Sequence, residues 1–231
     1  QPDLSAGSFR TSALVEALLE LSPSVTVDVL TTLPHRYQSY SRPAAEHDSD
    51  GRVSIRRIKL PSHKNGMIDQ ARSFTVYARE ASRLSGAPSY DLIVGTSGRL
   101  MTAALSASIA ARLKVPLYLD IRDIFADNAK YLMPRLAAPV FSRLFSLLEK
   151  WTCNRAVHIN LVSRGFAPYF EARYPGTPLS YFTNGVDEEF FPREAPTVSG
   201  GHQGPVRVLY AGNLGEAQGL HVTIPPLAKR L

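Results

Sequence analysis

Residues 116–128 read Pro-Leu-Tyr-Leu-Asp-Ile-Arg-Asp-Ile-Phe-Ala-Asp-Asn. The stretch begins as a short apolar run and ends in a cluster of charge. A run of this length, opened by proline and set between helical patterns, predicts a buried parallel strand. In open α/β sheets the crevice beyond the carboxyl ends of the strands takes the ligand. Asp120, Arg122, Asp123 and Asp127 are expected at that edge. Side chains alternate along a strand, so Asp120 and Arg122 share a face while the strand lasts. Asp123 falls where the strand gives way to a loop. The same residues also fit a purely structural reading, an arginine paired with two aspartates, because structural ion pairs collect at such edges too.

On both sides of this strand the chain alternates between strand and helix patterns. Upstream, Asp91 to Thr96 is a strand, Ser97-Gly98 a turn, and 99–113 a helix rich in alanine and serine. Further upstream come a helix over 68–84, a strand over 53–60, a loop over 33–51 and a strand over 25–31. A first helix carries Leu14, Val15, Leu18 and Leu19 on one stripe. Downstream, 136–151 is an amphipathic helix whose Val140, Phe141, Leu144, Phe145, Leu148 and Trp151 fall at helical spacing and are expected in the core. A strand over 157–163, a short helix over 166–174 and a strand over 179–183 complete the set. Sequential alternation of this kind gives a parallel sheet with helices on both faces, a Rossmann-like α/β fold.

Residues 187–205 change character, with acidic residues, prolines and Ser199-Gly200-Gly201, and read as a linker. The pattern then restarts: Val206 to Ala211 as a strand, 212–215 as a tight turn, and a helix from Gln218. Two domains are therefore expected. Residues 1–186 form the first, its own opening strand expected to be missing. Residues 206–231 form the first strand and helix of a second, truncated Rossmann-like domain.

The net charge is +6 and the isoelectric point about 9.5, which suits an anionic partner. The one cysteine, Cys153, lies in an apolar helical pattern and allows no disulfide within the chain. No apolar run approaches the roughly 20 residues needed to cross a bilayer. Small residues, Ser5 to Ser8, stand at the mouth of the first helix. Gly7 lets the backbone approach a ligand closely, and a helix N-terminus suits a phosphate; an ordinary serine cap explains the same residues. Lys59, His63, Lys64, Arg72, Arg79 and Arg83 form a basic stretch with apolar neighbours. It reads either as a solvated helix face or as a surface for anionic lipid. Nucleic-acid binding is disfavoured, because aromatics are not interleaved with the basic residues as stacking platforms.

Five pieces of the chain, in order, carry a resemblance. They are P-D-L-S-A-G before the first helix, L-D-I-R-D at a strand end, N-L-V-S before a short helix, T-N-G-V-D-E-E-F-F-P, and V-L-Y-A-G-N-L-G-E-A-Q-G-L-H. Together they resemble the retaining glycosyltransferases of the GT-B fold in the large family numbered four, in particular bacterial members that build polysaccharides on lipid carriers. The resemblance implies an acceptor-side first domain and a donor-binding second domain, with chemistry in the cleft and neither metal nor cofactor. It implies a nucleotide-sugar donor, a lipid-linked saccharide acceptor, and a place at the cytoplasmic, inner face of the membrane. Gly7 and Ser8 would face the donor phosphates, with Asn184, Gly212, Asn213, Gln218 and Gly219 as further substrate-binding residues.

Many family members carry a His-Asp step after the central strand; here it is Arg122-Asp123, with Asp123 contacting acceptor or sugar and Arg122 holding a phosphate or a sugar hydroxyl. Many also carry an arginine and a lysine where this chain has Asn213 and Gln218. The family's paired glutamates would lie beyond Leu231, so the 231-residue chain alone is expected not to turn over. Other readings remain open: a related sugar epimerase or phosphorylase, a non-catalytic phospholigand- or lipid-binding module, and a transferase holding Mg²⁺ between Asp120, Asp123 and Asp127.

Overall fold

The structure is a computed structural model. It describes residues 6–34, 44–61, 67–86, 89–124, 138–186, 209–210, 212 and 219–229. The chain divides into two compact units, residues 1–185 and 186–231.

The first unit is built on two sheets, with helices packed beside them. A four-stranded parallel sheet has the order β4 (Ile93–Ser97), β5 (Leu117–Ile121), β6 (His158–Leu161), β7 (Leu179–Ser180). The decisive strand of the sequence is β5, flanked by β4 and β6. Leu117, Leu119 and Ile121 are fully buried, as are Ile159 and Leu161 of β6. A parallel strand inside such a sheet is covered on both faces, which is why the run is so apolar. Strand β5 contributes to the core with every second residue, and that leaves Tyr118 to stack on His158 and Asp120 to find polar partners.

Helix α3 (Leu100–Leu113) packs against β4 and β5 through Ala103, Ala107 and Ala110, all with no exposed surface. Their small size lets the helix sit close. Gly95 in β4 belongs to the same contact: a Cβ there would stand 2.7 Å from the Ser106 side chain.

The smaller sheet has the order β1 (Val27–Thr32), β3 (Val53–Ile58), β2 (His47–Asp50). Strand β1 pairs with β3 in parallel, and β2 pairs with it antiparallel. Strand β2 corrects the sequence reading, which has loop over 33–51. Its residues His-Asp-Ser-Asp are all polar and exposed, so no apolar alternation marks them. The turn at Gly51, with φ +54°, closes them onto β3, and the charged side chains suit a sheet edge.

Helix α1 (Ala6–Leu21) joins the two sheets. At its C-terminal end Arg52, which precedes β3, donates to the carbonyls of Leu19 and Ser22 at 3.0 and 2.9 Å. At its N-terminal end Arg10 is bound to Asp120 of β5. Helix α2 (Met67–Leu84) lies beside β3, and Tyr77 donates to the Leu30 carbonyl of β1. The C-terminal carbonyls of α2 are capped by arginines from other elements: Arg56 donates to Leu84 O, and Arg112 to Ser82 O.

Helix α4 (Ala138–Arg155) turns a different face inward from the one its apolar period predicts. Phe145 and Leu148 pack on the core as expected. Leu144 and Trp151, also expected there, are 60% and 45% exposed, and Leu147 is 66% exposed. Buried instead are Glu149, Thr152 and Cys153, and Ala156 just past the helix end. The reason is Glu149, 3% exposed, which accepts hydrogen bonds at 2.7 Å from Tyr169 of α5 (Ala167–Arg173) and from Tyr174. A buried carboxylate needs such donors, and meeting them sets the rotation of the helix. Burial of Cys153, with Glu149 beside it, pushes the thiol up to about 12, so it is an inert core residue. Val140 and Phe141 have side chains outside the described residues.

In the second unit the described residues contain one helix, α6 (Leu220–Ala228), entered through Gly219 at φ +61°. The expected strand over 206–211 falls largely outside the described residues. No described helix is long and apolar enough to cross a membrane.

Candidate functional site

The carboxyl ends of β4, β5 and β7 and the N-terminal turn of α1 meet around two aspartates three positions apart. Asp120, on β5, is 4% exposed and saturated with donors. Arg10 binds it side-on, Nε to Oδ2 at 2.9 Å and Nη2 to Oδ1 at 2.8 Å. Thr96 of β4 donates to Oδ2 at 2.8 Å, and Asn160 of β6 to Oδ1 at 2.7 Å. Burial by itself would raise the Asp120 carboxyl, but these bonds and the Arg10 charge outweigh it and hold it below the usual carboxylate range.

Arg10 also donates to the carbonyls of Phe182 and Thr183 at 2.9 Å each. Asn160 accepts from the Phe182 N–H at 2.8 Å and from Ser180 Oγ at 3.1 Å. One network thus fixes the first turns of α1, all four strands of the larger sheet, and the backbone leading to Asn184. Bidentate arginine binding is geometrically demanding, so it fixes orientation as well as distance.

Beyond Ile121 the strand ends and the surroundings open. The Arg122 guanidinium lies against Gly7 in the first turn of α1: a Cβ on Gly7 would stand 2.5 Å from Nη1. The Asp123 carboxylate lies in the same way against Gly98, in the turn between β4 and α3. That turn is held by Ser97, whose Oγ accepts from the Arg99 N–H at 2.8 Å and donates to the Arg99 carbonyl at 2.9 Å. Partial burial raises the Asp123 carboxyl above its ordinary value, and Arg122 opposes the shift. Asp123 remains solvent-accessible. An exposed carboxylate and a nearby guanidinium, both seated on glycine backbone, can bind hydroxyls and phosphate oxygens.

The structure therefore brings Gly7, Arg122 and Asp123 to one edge, with Ser8 in the same helical turn as Gly7. Asn184 is exposed and directly follows the segment that Arg10 holds. The ion pair expected between Arg122 and the neighbouring aspartates is replaced at Asp120 by Arg10. In the second unit Gly212 is exposed, and a Cβ on it would stand 2.8 Å from the Tyr210 hydroxyl. Gly219 precedes α6. Asn213, Gln218 and Asp127 lie outside the described residues. Among the basic residues, Lys59, Arg72, Arg79 and Arg83 are all exposed, Arg83 bonding Glu80 at 2.9 Å. Lys64 lies outside the described residues.

Sequence reading misses Arg10, Thr96 and Asn160. The signals were weak: a lone arginine three residues after Gly7, and an asparagine between the apolar Ile159 and Leu161 of β6. No cluster of three His, Cys, Asp or Glu side chains occurs among the described residues. A family model described as a glycosyl transferase 4-like domain matches residues 7–185, a span that begins at Gly7 and ends just past Asn184. No curated protein matches the chain.

Proposed function

The chain belongs to the glycosyl transferase 4-like family, and from that premise we propose that it moves a sugar from a nucleotide-sugar donor to a lipid-linked saccharide, with retention of anomeric configuration. A glycosyltransferase domain requires a sugar donor and an acceptor. The finer reading places the reaction in bacterial surface polysaccharide synthesis, at the inner face of the membrane.

The observation that carries this reading is the Arg122–Asp123 step, seated on Gly7 and Gly98 while Asp120 is locked away. Transfer of a sugar leaves negative charge growing on the departing diphosphate, and fixed positive groups stabilise it. Arg122 and the first N–H groups of α1 at Gly7 and Ser8 are assigned that task. Asp123 is assigned a hydroxyl of the transferred sugar or of the acceptor, and Asn184 a further polar contact. Gly212, Asn213, Gln218 and Gly219 are assigned to the donor. Lys59, Lys64, Arg72, Arg79 and Arg83 are assigned to an anionic membrane surface.

Asp120 gives little support to a Mg²⁺ site shared with Asp123, because Arg10, Asn160 and Thr96 occupy its oxygens. A panel of nucleotide sugars, assayed on the two-domain enzyme with and without a lipid-linked saccharide, tests the proposal; the 231-residue chain alone is expected to be inactive. Acceptor-dependent release of nucleoside diphosphate, with the anomeric configuration kept, supports it. Epimerised sugar, or sugar phosphate formed from orthophosphate without acceptor, overturns it in favour of a related epimerase or phosphorylase.

A further inference from the structure

Helix α4 carries a surface that the catalytic reading does not use. Leu144, Leu147 and Trp151 recur at i, i+3 and i+7 and form one exposed stripe. Arg143 and Lys150 flank it, one turn from Leu147 on either side, and Arg155 lies one turn beyond Trp151. All three are exposed and in no ion pair among the described residues. The only acidic residue of the helix, Glu149, points into the core. The outer face is thus apolar and basic, with no exposed acid to cancel it.

We propose that this face of α4 is the surface on which the protein lies against an anionic lipid bilayer. The proposal rests on the membrane reading above and moves its principal contact from α2 to α4. Single exposed leucines are ordinary, but a contiguous stripe of leucine and tryptophan marks an interaction site. Leucine and tryptophan enter the boundary between headgroups and acyl chains, while basic side chains reach the anionic headgroups. The charge pattern selects this occupant over a neutral apolar partner.

Among its described side chains, helix α2 shows half of the pattern. Its Arg72, Arg79 and Arg83 form an exposed basic stripe, but Phe74, Val76 and Tyr77 are partly covered. Charge alone gives binding that salt removes, since screening acts within about 10 Å at 0.1 M salt. A face that also inserts apolar side chains keeps part of its binding.

Trp151 is the only tryptophan of the chain, so its emission reports on this face alone. The chain is titrated at low salt with vesicles of phosphatidylcholine containing phosphatidylglycerol. The expected result is sedimentation with the vesicles, a blue shift of Trp151 emission, and protection from an aqueous quencher. Leu144→Ser with Leu147→Ser should weaken binding about tenfold or more. Each of Arg143→Gln, Lys150→Gln and Arg155→Gln should weaken it about fivefold. These side chains are exposed, so the variants should melt with the wild type. Arg72→Gln with Arg79→Gln and Arg83→Gln should weaken binding less than the α4 changes do, and the Trp151 shift at saturating vesicles should persist. Binding to vesicles with unchanged Trp151 emission overturns the α4 face and leaves the membrane reading standing. No binding at low salt overturns both. A blue shift that grows with protein concentration in the absence of vesicles assigns the face to a second copy and overturns the proposal.

Discussion

The two ends of one short segment differ sharply. At Asp120 every carboxylate oxygen has donors, and the partners come from α1, β4 and β6. At Arg122 and Asp123, just past the end of β5, the charged groups rest on glycine backbone, Arg122 half-buried and Asp123 exposed. Each end carries an aspartate at the edge of the sheet, so residue type does not separate them. Polar residues at a sheet edge thus divide into those that build the edge and those that stand open on it. Saturation with partners, rather than charge, tells them apart.

The largest expected effect is on the locked end. Arg10→Met leaves the Asp120 charge buried without its main partner, at a cost of about 3–5 kcal/mol. At about 2–4 °C per kcal/mol for a domain of this size, the melting temperature should fall by about 6–20 °C. A variant that melts with the wild type would break the comparison, because Asp120 would then be no anchor.

At the open end the loss should appear in rate. Asp123→Asn should lower glycosyl transfer about a hundredfold in the active enzyme, equivalent to about 2.7 kcal/mol of transition-state stabilisation. Stability should move by no more than about 0.5 kcal/mol. Early melting of Asp123→Asn would put this residue with Asp120 instead.

Gly7→Ala sharpens the same contrast with a smaller change. Alanine favours a helix over glycine by roughly 0.5–1 kcal/mol, so stability should hold or rise slightly. The added methyl displaces the Arg122 guanidinium, and transfer should fall about tenfold, or about 1.4 kcal/mol. Unchanged transfer would remove Arg122 from the site.

The smallest effect is in acid, where the two aspartates have opposite signs. The Asp120 carboxyl is held low, so its contribution is present above the ordinary value near 3.9 and is lost as pH falls through its lower folded value. The stability gap between wild type and Arg10→Met should therefore narrow from pH 7 towards pH 3. The Asp123 carboxyl is raised, so its charged form slightly disfavours the fold, and that cost appears as pH rises through its folded value. Asp123→Asn should be marginally more stable than wild type near neutrality and lose the advantage in acid. Melting curves across that range check both signs.

Much of this architecture is written locally. The alternation of strand and helix, the burial of Leu117, Leu119 and Ile121, and the close packing of the alanine-rich helix follow from periods of 2 and 3.6 residues. Gly7, Arg122 and Asp123 could be picked out because a sheet edge and a helix mouth are legible as patterns. Strand β2 was not legible, since four exposed polar residues show no apolar alternation.

Local pattern was enough for every strand of the four-stranded sheet and for the helices beside it, for the place of the open edge, and for the family resemblance, but not for β2. Which charges are used up at that edge depends on contacts between distant segments. Arg10 reaches Asp120 across 110 positions, and no local period encodes such a pair. The phase of α4 was decided in the same way. Its apolar residues fit a core stripe or a surface stripe equally well, because both repeat every 3.6 residues. The hydroxyls of Tyr169 and Tyr174 drew Glu149 inward, and with that rotation Leu144, Leu147 and Trp151 were left outside. A buried charge must be met by donors wherever the fold can bring them, and that requirement is satisfied in three dimensions only.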